Sequence, residues 1–144
     1  MENMHYLHQN LSGKIIVFTG GTDGMGKVAV QKLAAMGAKI LLFGRIAAKT
    51  NLAISEIKSS SGNTDIHYIP CDLASQQSIR MAAERVTEQC PKIDLLINCV
   101  GMNAGERILT EDQMETSWAV NHLAPSIKPL TFKAFTSRGI GPYR

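Results

Sequence analysis

Residues 19–27, Thr-Gly-Gly-Thr-Asp-Gly-Met-Gly-Lys, crowd four glycines into a short stretch directly after the apolar run Ile15–Phe18. A glycine loop between a strand and a helix lets backbone N–H groups approach a phosphate closely, and the helix start adds partial positive charge. Gly20, Gly24 and Gly26 are the candidates for that work. The run from Gly24 to Ala29 fits the general GxGxxA pattern, but it begins late after the strand. The longer frame T-G-x-x-x-G-x-G, from Thr19 to Gly26 and including Met25, meets the strand end better. Metal chemistry has no comparable signal: Cys71, Cys90 and Cys99 have no CxxC spacing, and His5, His8, His67 and His122 form no HExxH pair.

The elements that would position this loop alternate between strands and helices, which predicts an α/β fold around a parallel sheet. Lys14–Phe18 reads as the first strand. A helix over Met25–Met36 follows, with Val28, Ala29, Leu33 and Met36 at helical spacing and Gly37 at its end. Lys39–Phe43 is the second strand, followed by a helix through Ile57 and a loop from Ser59 to Asp65. Ile66–Pro70 is the third strand. Ser75 then caps a helix with Ile79, Ala82, Ala83 and Val86 on one face. Ile93–Val100 is the fourth strand, apolar on both pleat faces. Thr110 and Gln113 have the form of a capping box, predicting a last helix there with Met114, Trp118 and Asn121 on one side. Trp118 is assigned to the core and Cys99 to a buried, hydrophobe-like position.

Composition sets the class. With 44% hydrophobic and 19% charged residues in 144, the chain has the balance of one folded domain rather than a disordered one. The net charge of +3 includes no basic run suited to a phosphate backbone, so nucleic acid is not an expected partner. The opening residues resemble no secretory or transit leader, and no apolar stretch is long enough for a membrane span. Three cysteines without a disulfide pattern suggest a reducing, cytoplasmic setting. From Pro125 onward the α/β alternation stops, which divides the chain into a nucleotide-binding unit, 1–125, and a divergent irregular tail, 126–144.

The ordered set of motifs resembles the short-chain dehydrogenases and reductases, over about residues 12–125. TGxxxGxG is that family's cofactor loop. Phe43-Gly44-Arg45 resembles its NADP-preferring form, which implies that Arg45 pairs the 2′-phosphate and that no acid at position 44 grips an adenosine hydroxyl. Cys71-Asp72-Leu73 is similar to the family's D-[LV] step, with Asp72 at the adenine amino group and Leu73 lining its pocket. Ile97–Gly101 resembles the NNAG motif, keeping Asn98 and Gly101 but carrying Cys99 and Val100 in the middle. Leu109–Pro125 resembles the retinol-dehydrogenase-like branch and puts Asn121 where a catalytic tetrad has its Asn.

The resemblance implies a Rossmann-like, doubly wound sheet of about four strands in the order 3-2-1-4, incomplete in this chain. It also implies NADP rather than NAD, and an alcohol or carbonyl substrate. The family's proton donor is a Tyr whose pKa is lowered by a Lys four residues later. No Y-x-x-x-K occurs: Asn10 and Asp72 follow Tyr6 and Tyr68 at that distance, and Tyr143 is followed only by Arg144. Ser137 does not stand at the spacing of the family's substrate serine. A truncated cofactor-binding fragment with little or no hydride transfer is the expectation. Two other readings are open: a reductase using an unusual donor or completed by a second subunit, and a non-enzymatic module that forms homo-oligomers through an exposed fourth strand.

Overall fold

The computed structural model describes residues 9–126. Most of the predicted tail lies outside the described residues, and so do Tyr6, Ser137 and Tyr143.

Four parallel strands form one sheet in the order β3-β2-β1-β4, as the resemblance implied. They are β1 (Ile15–Thr19), β2 (Lys39–Gly44), β3 (Ile66–Pro70) and β4 (Leu95–Asn98). Because side chains alternate across a strand, the apolar run of β1 feeds two cores at once. Ile16 and Phe18, with Ile40, Leu42 and Ile66, pack against Val30 and Ala34 of α1 (Gly24–Ala35) and against Ile54 and Ile57 of α2 (Ala47–Ser61). Val17, with Leu41, Phe43 and Ile69, packs against Ile79, Ala82, Ala83 and Val86 of α3 (Gln76–Gln89). The sheet is therefore doubly wound.

The predicted face of α1 is out of phase. Asp23 caps the helix and turns Gly26, Val30 and Ala34 inward, leaving Val28 exposed and Ala29 and Leu33 on the flank. Helix α2 outlasts the predicted end at Ile57. The hydroxyls of Ser60 and Ser61 bond back to the Ile57 carbonyl, and the helix stops at Gly62, whose left-handed backbone sends its N–H to the Lys58 carbonyl. For α3 the prediction holds, with the Ser75 hydroxyl accepting from the Ser78 N–H at 3.2 Å.

Strand β4 is shorter than expected and half-open. Among the described residues it pairs with β1 alone, and Leu95 is 45% exposed. Its apolar composition is that of an inner strand, but its position is at the edge. Asp94 anchors its start: the carboxylate accepts from the Ile15 N–H at 3.0 Å and from Lys92 at 2.9 Å, and the Asp94 N–H donates to the Ile15 carbonyl. These bonds, Lys92 first, hold the Asp94 carboxyl down to about 2.

The capping-box expectation fails. Thr110–Met114 is a turn closed by the Leu109–Glu115 bridge, and Gln113 adopts φ 60°. Helix α4 (Thr116–Trp118) begins only after Glu115, whose carboxylate accepts from the N–H groups of Ser117 and Trp118. Those two bonds depress the Glu115 carboxyl below its ordinary value. The turn's acids cap a different helix: Asp112 accepts from the Gln76 N–H at 2.8 Å, and Glu111 accepts from the Ser75 hydroxyl. Trp118 is exposed rather than core, stacked on His122 with ring centroids 4.2 Å apart. Cys99 is also exposed, because β4 ends at an edge.

Candidate cofactor site

The C-terminal ends of all four strands open into one cleft of about 270 Å³. Thr19, Gly20 and Thr22 come from the β1 end, Gly44 and Arg45 from β2, Asp72 and Leu73 from after β3, and Val100 and Met102 from after β4. The chain order reverses between β1 and β4, and open α/β sheets bind ligands at such a switch point.

The glycines divide the labour of the loop. Gly20 has φ +80°, and a Cβ there would lie 2.7 Å from the Cys99 carbonyl carbon. It is required by the approach of β4. Gly24 also has positive φ, at +51°, but a Cβ there meets nothing within 4 Å. The space above it is open. A Cβ on Gly26 would collide with the Gly20 carbonyl, so Gly26 lets α1 start against the loop. Asp23 takes the Gly24 N–H through its carboxylate at 2.8 Å and the Lys27 N–H through its carbonyl. The N–H groups of Met25 and Gly26 are left at the helix start for an anion.

Thr19 is buried and ties the strand ends together: its Oγ1 and carbonyl both accept from the Cys99 N–H, at 3.3 and 3.1 Å. Asn98 stands beside Thr19 in the β1–β4 register. Arg45 reaches the cleft and makes no hydrogen bond or ion pair among the described residues. Asp72 lines the cleft while one carboxylate oxygen accepts from the Ala74 N–H at 2.9 Å, and the Asp72 N–H donates to the Ser78 hydroxyl. Leu73 lies next to it.

Gly101 is exposed between the cleft residues Val100 and Met102. Asn121 is not in the cleft wall. It sits in a π-helical turn, Ala119–Leu123, that continues α4. Its Oδ1 accepts from the Met102 N–H at 2.9 Å and its Nδ2 donates to the Met102 carbonyl at 2.7 Å. Both polar ends of Asn121 are thereby used to fix a segment of the wall. The Ser117 hydroxyl assists by accepting from the Ala104 N–H.

Sequence reasoning did not find Thr22, Phe43, Cys71, Met102 or Val120 as lining residues. Strand ends carried the signal for two of them, since Phe43 and Cys71 are each at or just past the C-terminal end of a strand. Gly44 has a steric reason that sequence did not disclose. A Cβ there would overlap the Thr50 hydroxyl and lie 2.9 Å from Thr50 Cβ and Cγ2. Thr50 is 1% exposed and donates to the Ile46 carbonyl, so it has no room to retreat. Among the described residues no group of three His, Cys, Asp or Glu could hold a metal ion. No described helix is long and apolar enough to cross a membrane.

Comparison with known proteins agrees with this fold. The chain is 35% identical to retinol dehydrogenase 12 of Mus musculus over 113 residues, 78% of this chain and 36% of that protein. It is 34% identical to retinol dehydrogenase 13 of Homo sapiens, over 78% of this chain and 34% of that one. The chain thus spans about a third of the length of these curated relatives. A metagenomic short-chain oxidoreductase crystallised in complex with NADP superposes with a TM-score of 0.72 at 27% identity, covering 86% of this chain and 57% of that one. The short chain dehydrogenase family profile matches residues 14–127, and the chain belongs to that family, in its retinol-dehydrogenase-like part.

Proposed function

We propose that residues 1–125 are the NADP-binding part of an oxidoreductase acting on an alcohol or carbonyl group, and that the sequence diverges from that unit over 126–144. The observation that carries the cofactor choice is the end of β2. An acid that would grip an adenosine 2′-hydroxyl has no room at Gly44 beside buried Thr50, while the next residue, Arg45, presents to the cleft a guanidinium with no partner among the described residues. A guanidinium suits a phosphate, so NADP is favoured over NAD.

In this reading the N–H groups of Met25 and Gly26 and the open space over Gly24 receive the pyrophosphate. Thr19 and Gly20 form the floor, Asp72 and Leu73 flank the adenine, and Asn98 and Gly101 border the nicotinamide end. When bound, the nicotinamide supplies or accepts hydride. Asn121 would stand at the catalytic end and act there by holding Met102. Residues 1–144 contain no Tyr-x-x-x-Lys pair to move the accompanying proton, so by themselves they support little or no hydride transfer. Cys71, Cys90 and Cys99 form no disulfide with one another, which fits a reducing, cytoplasmic setting. NADPH oxidation with a panel of aldehydes and ketones tests the proposal; baseline rates are expected, and clear turnover by the purified chain would overturn the inactive-fragment reading.

The exposed edge of β4 favours a second reading, a module that pairs with another copy through that strand. Light scattering after size exclusion should then give a dimer mass. A monomer at all concentrations would rule it out.

A further inference from the structure

Helix α2 begins in a way that its own stability does not explain. Its N-cap residue, Ile46, offers no side-chain hydrogen bond, and the first turn contains no acid. That turn instead carries Lys49, a cation at the end of the helix where the dipole opposes one. Lys49 Nζ lies 3.0 Å from Oδ2 of Asp23, the residue that caps α1 beside the glycine loop. Both partners are largely exposed, at 51% and 79% of their side chains. Such a pair adds little to folding and opens easily.

The placement of Asp23 raises the same question from the other side. Its carboxylate sits at the N-terminus of α1, where a bound anion would also sit. An unneutralised acid there would repel a phosphate. Lys49 cancels that charge, and together with the Gly24 N–H it holds the Asp23 carboxyl below its ordinary value. A second ion pair of opposite sense, Lys27 of α1 with Glu56 of α2, joins the same two helices two turns further along α2. The helices stay tied when the first pair opens.

We propose that the Asp23 carboxylate is the partner of Lys49 only in the free protein, and that a dinucleotide bearing a 2′-phosphate takes Lys49 from it. Lys49 then joins Arg45, four residues earlier in the chain, as a second specificity residue. The inference rests on the NADP reading above and adds to it a residue outside the cleft wall.

The test uses the full chain with NADPH, NADH, adenosine 2′,5′-bisphosphate and AMP, followed by calorimetry. Lys49→Gln is expected to weaken NADPH and the bisphosphate about tenfold, as for a lost charge-assisted contact, while NADH and AMP change less than about twofold. Asp23→Asn keeps a capping side chain and frees Lys49, so NADPH should tighten about threefold. Lys58→Gln, which removes the same charge from the far end of α2, should change nothing. By carbon NMR, the Asp23 carboxyl of the wild-type chain should titrate nearer its ordinary value once the bisphosphate is bound, because Lys49 has left it. If the wild-type chain prefers NADPH but Lys49→Gln weakens all four ligands equally, or none, the Lys49 inference alone is overturned. If the wild-type chain does not prefer NADPH, the cofactor reading falls and this inference falls with it.

Discussion

Gly20 and Gly24 both adopt positive φ within one loop, yet alanine at the two positions should produce opposite outcomes. At Gly20 a Cβ would lie 2.7 Å from the carbonyl carbon and oxygen of Cys99 and 2.9 Å from the Val100 nitrogen. Ordinary contact starts at about 3.5 Å, so the end of β4 must retreat by about 0.8 Å from the Thr19 bonds that hold it. The left-handed backbone adds about 1–2 kcal/mol for a residue with a Cβ, and overpacking adds about 1–3. Together these reach about 2–5 kcal/mol, a large part of the ~5–15 that holds a domain folded. At Gly24 the backbone term applies by itself, because a Cβ there meets nothing within 4 Å. Gly24→Ala should therefore lose about 1–2 kcal/mol and keep the fold, but place a methyl where the pyrophosphate must come, lowering NADPH affinity at least about tenfold. Urea denaturation and NADPH fluorescence titration on both variants give the two readings. A Gly24→Ala chain that binds as the wild type does, or a Gly20→Ala chain that is equally stable, would refute this division of the loop.

Gly44→Asp should bind NADPH poorly and gain no NADH affinity, since the new side chain collides with Thr50; removing the hydroxyl with Thr50→Ala in the same chain should recover part of the denaturation midpoint. Asn121→Ala should free Met102 and weaken NADPH several-fold at a cost of about 1 kcal/mol, measured by titration and denaturation, whereas substitution of the exposed neighbour His122 by Ala should leave Met102 held. Asp94 is depressed from 3.8 to about 2, so its contribution is complete above about pH 4 and is lost as pH falls through 2. Asp94→Asn should remove that part of the acid dependence and cost on the order of 1 kcal/mol at neutral pH, read from denaturation curves between pH 2 and 7.

The sheet and its order were legible because each strand is a short apolar run bounded by turn residues, and the loop glycines announce the first crossover. The cleft was legible in its strand-end residues Thr19, Arg45 and Asp72 for the same reason. What sequence did not show depends on tertiary neighbours. Thr110 and Gln113 have capping-box spacing, but Glu111 and Asp112 between them are drawn to the start of α3, and the helix waits for Glu115. Val28 fits a helical stripe, but the cap at Asp23 fixes a different face inward. Trp118 and Cys99 have core-like chemistry, yet Cys99 follows β4 at the edge of the described sheet, and Trp118 is exposed and stacked on His122. Asn121 was found by motif, while its bonds to Met102, nineteen residues earlier, needed the fold.

The most direct test of the account is the affinity of the wild-type chain for NADPH and for NADH, each titrated alongside Arg45→Ala. Wild-type protein should bind NADPH at least about tenfold more tightly than NADH, and Arg45→Ala should erase the difference by weakening NADPH alone. Equal affinities in the wild type, or an Arg45→Ala chain that still prefers NADPH, would contradict it.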